Sequence, residues 1–232
     1  MTKSMKPIPF NMDMTRAIRD DRKTVTRRPV KYTAHDVYGV ACARGLWYET
    51  YDTQHLPESL VEWYVKSIAK PPYQPGEILY VPEAWRCFGY VDLGTTEYCV
   101  EFRDRKIARF NFQSMERAEK WAKYLYKPRR HWQSPYFMPR EAARLFLRVT
   151  DVRVERLQDI DEDGAKDEGS NLRNGRYVGV DEKMRRSAVE RFAEIWDSTI
   201  KSADIARYGW VANPWVWVIE FERCEKPEKG ET

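Results

Sequence analysis

The residues best equipped for chemistry lie in the run Asp21-Arg22-Lys23-Thr24-Val25-Thr26-Arg27-Arg28, which packs four cations and two hydroxyls into eight positions. Such a run suits recognition of a phosphate or an oxyanion, because guanidinium and ammonium groups make charge-assisted hydrogen bonds to anionic oxygen. A solvated charged turn is the other reading of the same residues. Glu83 is the second candidate: it follows the apolar stretch Ile78 to Val81 and stands between Pro82 and Trp85, where a carboxylate is expected to be half buried beside an aromatic wall. Taken alone, Glu83 is more readily read as an ion-pair partner. A third group, Lys127, Arg129, Arg130 and Trp132, interleaves cations with an aromatic ring, as base stacking with phosphate neutralisation requires. A solvated loop after a helix gives the same composition.

The elements that must position these residues can be read from periodicity. Pro7 to Phe10 suggests a short strand, and Asn11 an N-cap for a helix carrying Met14, Ala17 and Ile18 that ends near Asp20 or Asp21. Residues 31–53 show no regular pattern, while Glu58 to Lys70 has helical spacing stopped by Pro71 and Pro72. Strands are expected over Ile78 to Val81 and Thr96 to Arg103, and a helix over Ser114 to Tyr126. Arg144 to Leu157 alternates as a long bent strand. Met184, Ala188, Phe192, Ile195 and Trp196 recur at helical spacing, and Trp215, Trp217, Ile219 and Phe221 mark one face of a closing strand. About five strands with interspersed helices imply an α+β protein, or a small barrel flanked by helices.

Composition narrows the rest. The charged share is 33% with a net charge of only +4, so any nucleic-acid role must rest on local patches rather than on bulk charge. Cys42, Cys87, Cys99 and Cys224 are widely spaced with no C-x-x-C, which fits reduced thiols in a cytoplasmic protein. No apolar run reaches the roughly 20 residues of a membrane-spanning helix, so no membrane partner is expected. Asp159, Asp161, Asp163 and Gly164 imitate the opening of a calcium loop, but Ser170 stands where a bidentate Glu is required. The acidic residues are better explained as the start of a helix, and neither a metal nor a cofactor is expected.

Together the charged run and Glu83 resemble the ASCH family. Its hallmark G-x-K-x-x-T-x-R is matched by Lys23, Thr26 and Arg28, with Asp21 in the glycine's place. The resemblance continues through Pro75 to Trp85, Met138 to Arg144, Arg153 to Ile160, Tyr208 to Trp210 and Asn213 to Trp217, a spread similar to ASCH-like proteins of bacteriophages and prophages. It implies one PUA-like β-barrel domain of about five main strands over 1–225, with insertions near 31–72 and 89–134 and a disordered tail at 226–232. It also implies a nucleoside or RNA partner. Some family members are amidohydrolases acting on N4-acetylcytidine through a lysine, a threonine and a glutamate, roles that would fall to Lys23, Thr26 and Glu83. Arg28 and Trp85 would bind substrate, and Arg27 would join Lys127, Arg129, Arg130 and Trp132 as contacts to nucleic acid. A non-catalytic module that binds RNA or a modified base is the alternative.

Overall fold

A helix needs its first backbone N–H groups satisfied, and Asn11 does this: its side chain accepts from the Met14 N–H at 2.8 Å and opens α1 (Met12–Arg19), which buries Thr15, Ala17 and Ile18. The computed structural model describes residues 5–46, 56–90, 97–112, 116–120, 131–170 and 187–227, with backbone alone at 88–90 and 97. Before α1 lies β1 (Lys6–Pro7), and after it β2 (Val25–Pro29), α2 (Ala34–Ala43), α3 (Glu58–Ser67), β3 (Ile78–Tyr80), β4 (Trp85–Tyr90), β5 (Glu97–Phe102) and β6 (Ile107–Asn111). There follow β7 (Phe146–Arg156), α4 (Glu162–Asp167), α5 (Ala188–Thr199), α6 (Ile205–Tyr208) and β8 (Trp215–Cys224). The chain is therefore mixed α+β, with a five-stranded sheet in the order β1-β3-β7-β8-β2 and a three-stranded sheet β4-β5-β6. Among the described residues no helix is long and apolar enough to cross a membrane.

Two compact units divide the chain. The first comprises Met1–Asp21, Gly76–Arg148 and Glu222–Thr232. Within it β1 runs parallel to β3, Lys6 opposite Leu79, and β3 runs antiparallel to the start of β7, Leu79 opposite Leu147. Its core is aromatic, formed by Trp85, Phe102, Phe110 and Phe146 with Val100 and Met138. The second comprises Arg22–Pro75 and Val149–Phe221. There β2 pairs antiparallel with β8, Thr26 opposite Ile219, and Val25, Val216 and Val218 pack on Leu157, Phe192 and Trp196. A satellite cluster of Val37, Tyr38, Ala41 and Leu60 joins α2 to α3.

Two sequence expectations need correction. Residues 34–43 are helical rather than irregular, because Thr33 and Asp36 form a capping box in which each side chain accepts from the other's backbone N–H. The stretch between Trp85 and Asn111 holds two strands besides the expected one, so that β5 belongs to the three-stranded sheet rather than the five-stranded one. β8 carries Trp215, Trp217 and Ile219 on one face as expected, and its other face is buried as well, because Val216 and Val218 pack on Leu157, Phe192 and Trp196. Residues 116–120 are helical as expected. The rest of that expected helix, together with Lys127, Arg129, Arg130, Met184 and the tail from 228 onward, lies outside the described residues.

Candidate functional site

The charged run Asp21 to Arg28 does not form a solvated turn. Arg16, Ile18 and the α1 C-cap Asp20 close the helix, and Asp21 then takes φ +55°, the left-handed region that glycine enters most easily. An aspartate tolerates that conformation better than most residues, and its carboxylate is held by Nε and Nη2 of Arg223 at 2.7 and 2.6 Å. The position where the hallmark carries glycine thus has a glycine-like backbone.

Lys23 is buried within the second unit, 3% exposed. Its ammonium donates to the Glu168 carboxylate at 2.5 Å and to the Glu168 carbonyl at 2.9 Å. Glu168 is the C-cap of α4, followed by Gly169 at φ +84°, so its carboxylate stands at the negative end of the helix dipole and requires cations nearby. Arg27 supplies the second one, 3.5 Å from Glu168 and 3.6 Å from Glu155, with its guanidinium 6.0 Å from the Phe192 ring. Burial pushes the Lys23 pKa below the ordinary lysine range, and Arg28 and Arg27 push the same way; the pull of Glu168 opposes them without cancelling the shift. Arg27, an expected nucleic-acid contact, is itself 5% exposed and committed to these carboxylates.

Thr26 is buried in β2, and strand alternation sends it and Arg28 to one face and Val25 and Arg27 to the other. Lys23 reaches the same Glu168 carboxylate as Arg27, whose face of the strand Thr26 does not share. In a regular strand a residue's N–H and C=O address the same neighbour, whereas Thr24 donates to the Asp167 carbonyl at 2.9 Å and accepts from the Phe221 N–H at 2.9 Å. The backbone turns over at Thr24, so that its N–H meets the end of α4 while its carbonyl stays with β8.

Glu83 lies in the first unit, where Arg144 grips both its oxygens at 2.7 and 2.8 Å and Arg19 adds a third contact at 3.1 Å. Asp104 completes the group, bound by Arg19 at 2.5 Å and Arg144 at 3.0 Å, while Arg144 lies 4.0 Å from the Phe102 ring centre. Trp85 is fully buried in the aromatic core, its indole N–H without an acceptor among the described residues. Trp132 is half-buried, with Arg103 and Arg86 at 4.2 and 4.9 Å from its ring.

The carboxylate on Lys23 is thus Glu168, which sequence reasoning missed. The signal was present in the form of an acidic residue at the end of a short helix just before a glycine, an electrostatically unfavourable place for an unpaired carboxylate. Asp161, from the calcium-like run, is instead the N-cap of α4 and accepts from the Gly164 N–H at 2.7 Å. Among the described residues no group of three or more His, Cys, Asp or Glu is arranged to hold a metal ion. No family model, curated relative or solved structure matches this chain.

Proposed function

We propose that this chain is an ASCH-type protein with a PUA-like barrel, acting as an amidohydrolase that removes the acyl group from N4-acylated cytidine nucleosides. The observation that carries this reading is the buried Lys23–Glu168 pair, with the lysine's proton affinity lowered by desolvation. A lowered proton affinity is the direction that a general-base role requires, since an exposed lysine stays protonated near neutral pH. The glycine-like backbone of Asp21 supports the match to the hallmark turn.

In this reading the Lys23 amine takes the proton of the Thr26 hydroxyl through an intervening water as the Thr26 oxygen bonds to the acyl carbon. The carbon–nitrogen bond then breaks, and the Lys23 ammonium returns its proton to the departing amino group of cytidine. A water hydrolyses the threonyl ester and releases the free acid. Glu168 orients the lysine and balances its charge, the role that the resemblance alone would have given to Glu83. Glu83, held by Arg144 and Arg19, serves the architecture of its own unit.

Purified protein incubated with a panel of N4-acylcytidines, without added metal, should release cytidine and the acid. Lys23→Ala, Thr26→Ala and Glu168→Gln should each lower the rate by about 10²- to 10⁴-fold, with double substitutions adding little. Thr26→Ser should keep part of the activity, and Lys23→Arg should not, since a guanidinium stays protonated. Glu83→Gln discriminates between the two carboxylates, and loss of turnover there with Glu168→Gln active would return the role to Glu83. A folded wild-type protein that leaves every acylated cytidine intact while binding RNA would be a recognition module instead.

A further inference from the structure

Ion pairs with carboxylates hold many of the described arginines, among them Arg86, Arg117 and Arg144 of the same unit, but not those of the β5–β6 hairpin. Its residues Arg103, Arg105, Lys106 and Arg109 are all exposed, and among the described residues none of the four side chains has a carboxylate partner. The hairpin's own acid, Asp104, is turned away to Arg19 and Arg144. Crowded cations without counter-charge favour an anionic partner, and one with regularly spaced charges best of all.

Three further observations give that partner a shape. Strand register puts Arg86 opposite Glu101 and Ile107 opposite Glu101 on the face of the β4-β5-β6 sheet away from its aromatic core, with Arg109 two residues on from Ile107. Arg103 and Arg86 bring the half-buried ring of Trp132 to this set, and Ile107 is 46% exposed. Cations flanking an accessible aromatic ring and an exposed apolar side chain make the kind of surface on which bases stack while phosphates are neutralised. Finally, the turn itself is costly. The Arg105 N–H donates to the Phe102 carbonyl and the Phe102 N–H to the Lys106 carbonyl, both at 2.9 Å, and this three-residue loop holds Arg105 at φ +62°, where glycine would be at ease. An arginine kept at a glycine position points its charge outward at the expense of the turn.

We infer that the β5–β6 hairpin and Trp132 bind single-stranded nucleic acid, the four cations taking phosphates and the indole a base. This choice of polyanion leans on the nucleoside-directed reading of the chain, but it uses a different unit and different residues. Binding of a fluorescent single-stranded RNA oligomer, followed by anisotropy across a salt series, tests it, with a duplex of equal length and phosphatidylserine vesicles as competing polyanions. Replacing Arg103→Ser, Arg105→Gly, Lys106→Ser and Arg109→Ser together should flatten the slope of log affinity against log salt by about 0.7 for each phosphate left without its cation, or about 2 to 3 in all. Trp132→Leu should weaken binding about tenfold and leave the slope unchanged, as stacking carries no counterion release. An unaltered slope in the fourfold variant, with far-UV circular dichroism unchanged, overturns the inference, and so does equal affinity for vesicles or duplex with Trp132→Leu silent. Free acylcytidine hydrolysis, measured on the same variants, should not change; if the wild type binds RNA in this way but hydrolyses nothing, the hydrolase reading fails alone.

Discussion

Glu168 and Lys23 meet at 2.5 Å with almost no access to water, so each charge depends on the other for the solvation it has lost. Removing one partner of such a pair is costly because the survivor remains buried. Glu168→Gln should therefore destabilise the fold by about 3 kcal/mol in urea denaturation, with Lys23→Met milder because Arg27 still holds the glutamate. The pH dependence has a definite sign. The folded-state pKa of Lys23 lies below its ordinary 10.5, so between the two values the unfolded chain binds more protons, and stability rises with pH through that window. The lysine's contribution is complete above 10.5 and is lost as pH falls through the lowered value. Thermal unfolding at alkaline pH should show that rise in the wild type and lack it in Lys23→Met. The pairing itself was not legible in the sequence, since Lys23 and Glu168 lie far apart along the chain; an acid before Gly169 signalled only a carboxylate in need of a cation. Lys23 and Thr26 themselves were legible, because the density of cations and hydroxyls is a local property.

At the level of elements, legibility followed the strength of local signals. The start of α1 at Asn11, the strand β7 and the helix α5 were readable from a cap residue, an alternation and a helical apolar stripe respectively. α2 was not, since Gly39 and Cys42 interrupt any stripe and only the Thr33–Asp36 box announces it. The β5–β6 turn was hidden for a related reason, as no glycine marks the residue with positive φ. That turn also makes a prediction of its own. Arg105→Gly removes a left-handed strain of roughly 1–2 kcal/mol and returns part of it as added freedom of the unfolded chain, leaving a net gain of about 0.5–1 kcal/mol. A higher midpoint in urea for Arg105→Gly, accompanied by weaker binding to single-stranded RNA, is the expected pairing. A lower midpoint would mean that the arginine is not strained.

The molecule as a whole is woven from separated segments, and this sets what can be isolated from it. Residues 76–148 contain β3 through the first residues of β7, yet β3 needs β1 beside it and Glu83 needs Arg19 from α1. A fragment of residues 76–148 should show poorly dispersed amide resonances and no cooperative thermal transition, whereas the same fragment with residues 1–21 restored in trans should gain both. The weaving has a further consequence in time. β2 finds its partner β8 about 190 residues later, and Lys23 finds Glu168 well before that. At about 5–20 residues per second, a ribosome leaves β2 unpaired for roughly 10–40 s after it is made. The nascent chain can thus close the lysine–glutamate pair first, and the sheet edge that carries Thr26 is sealed only once β8 has been made.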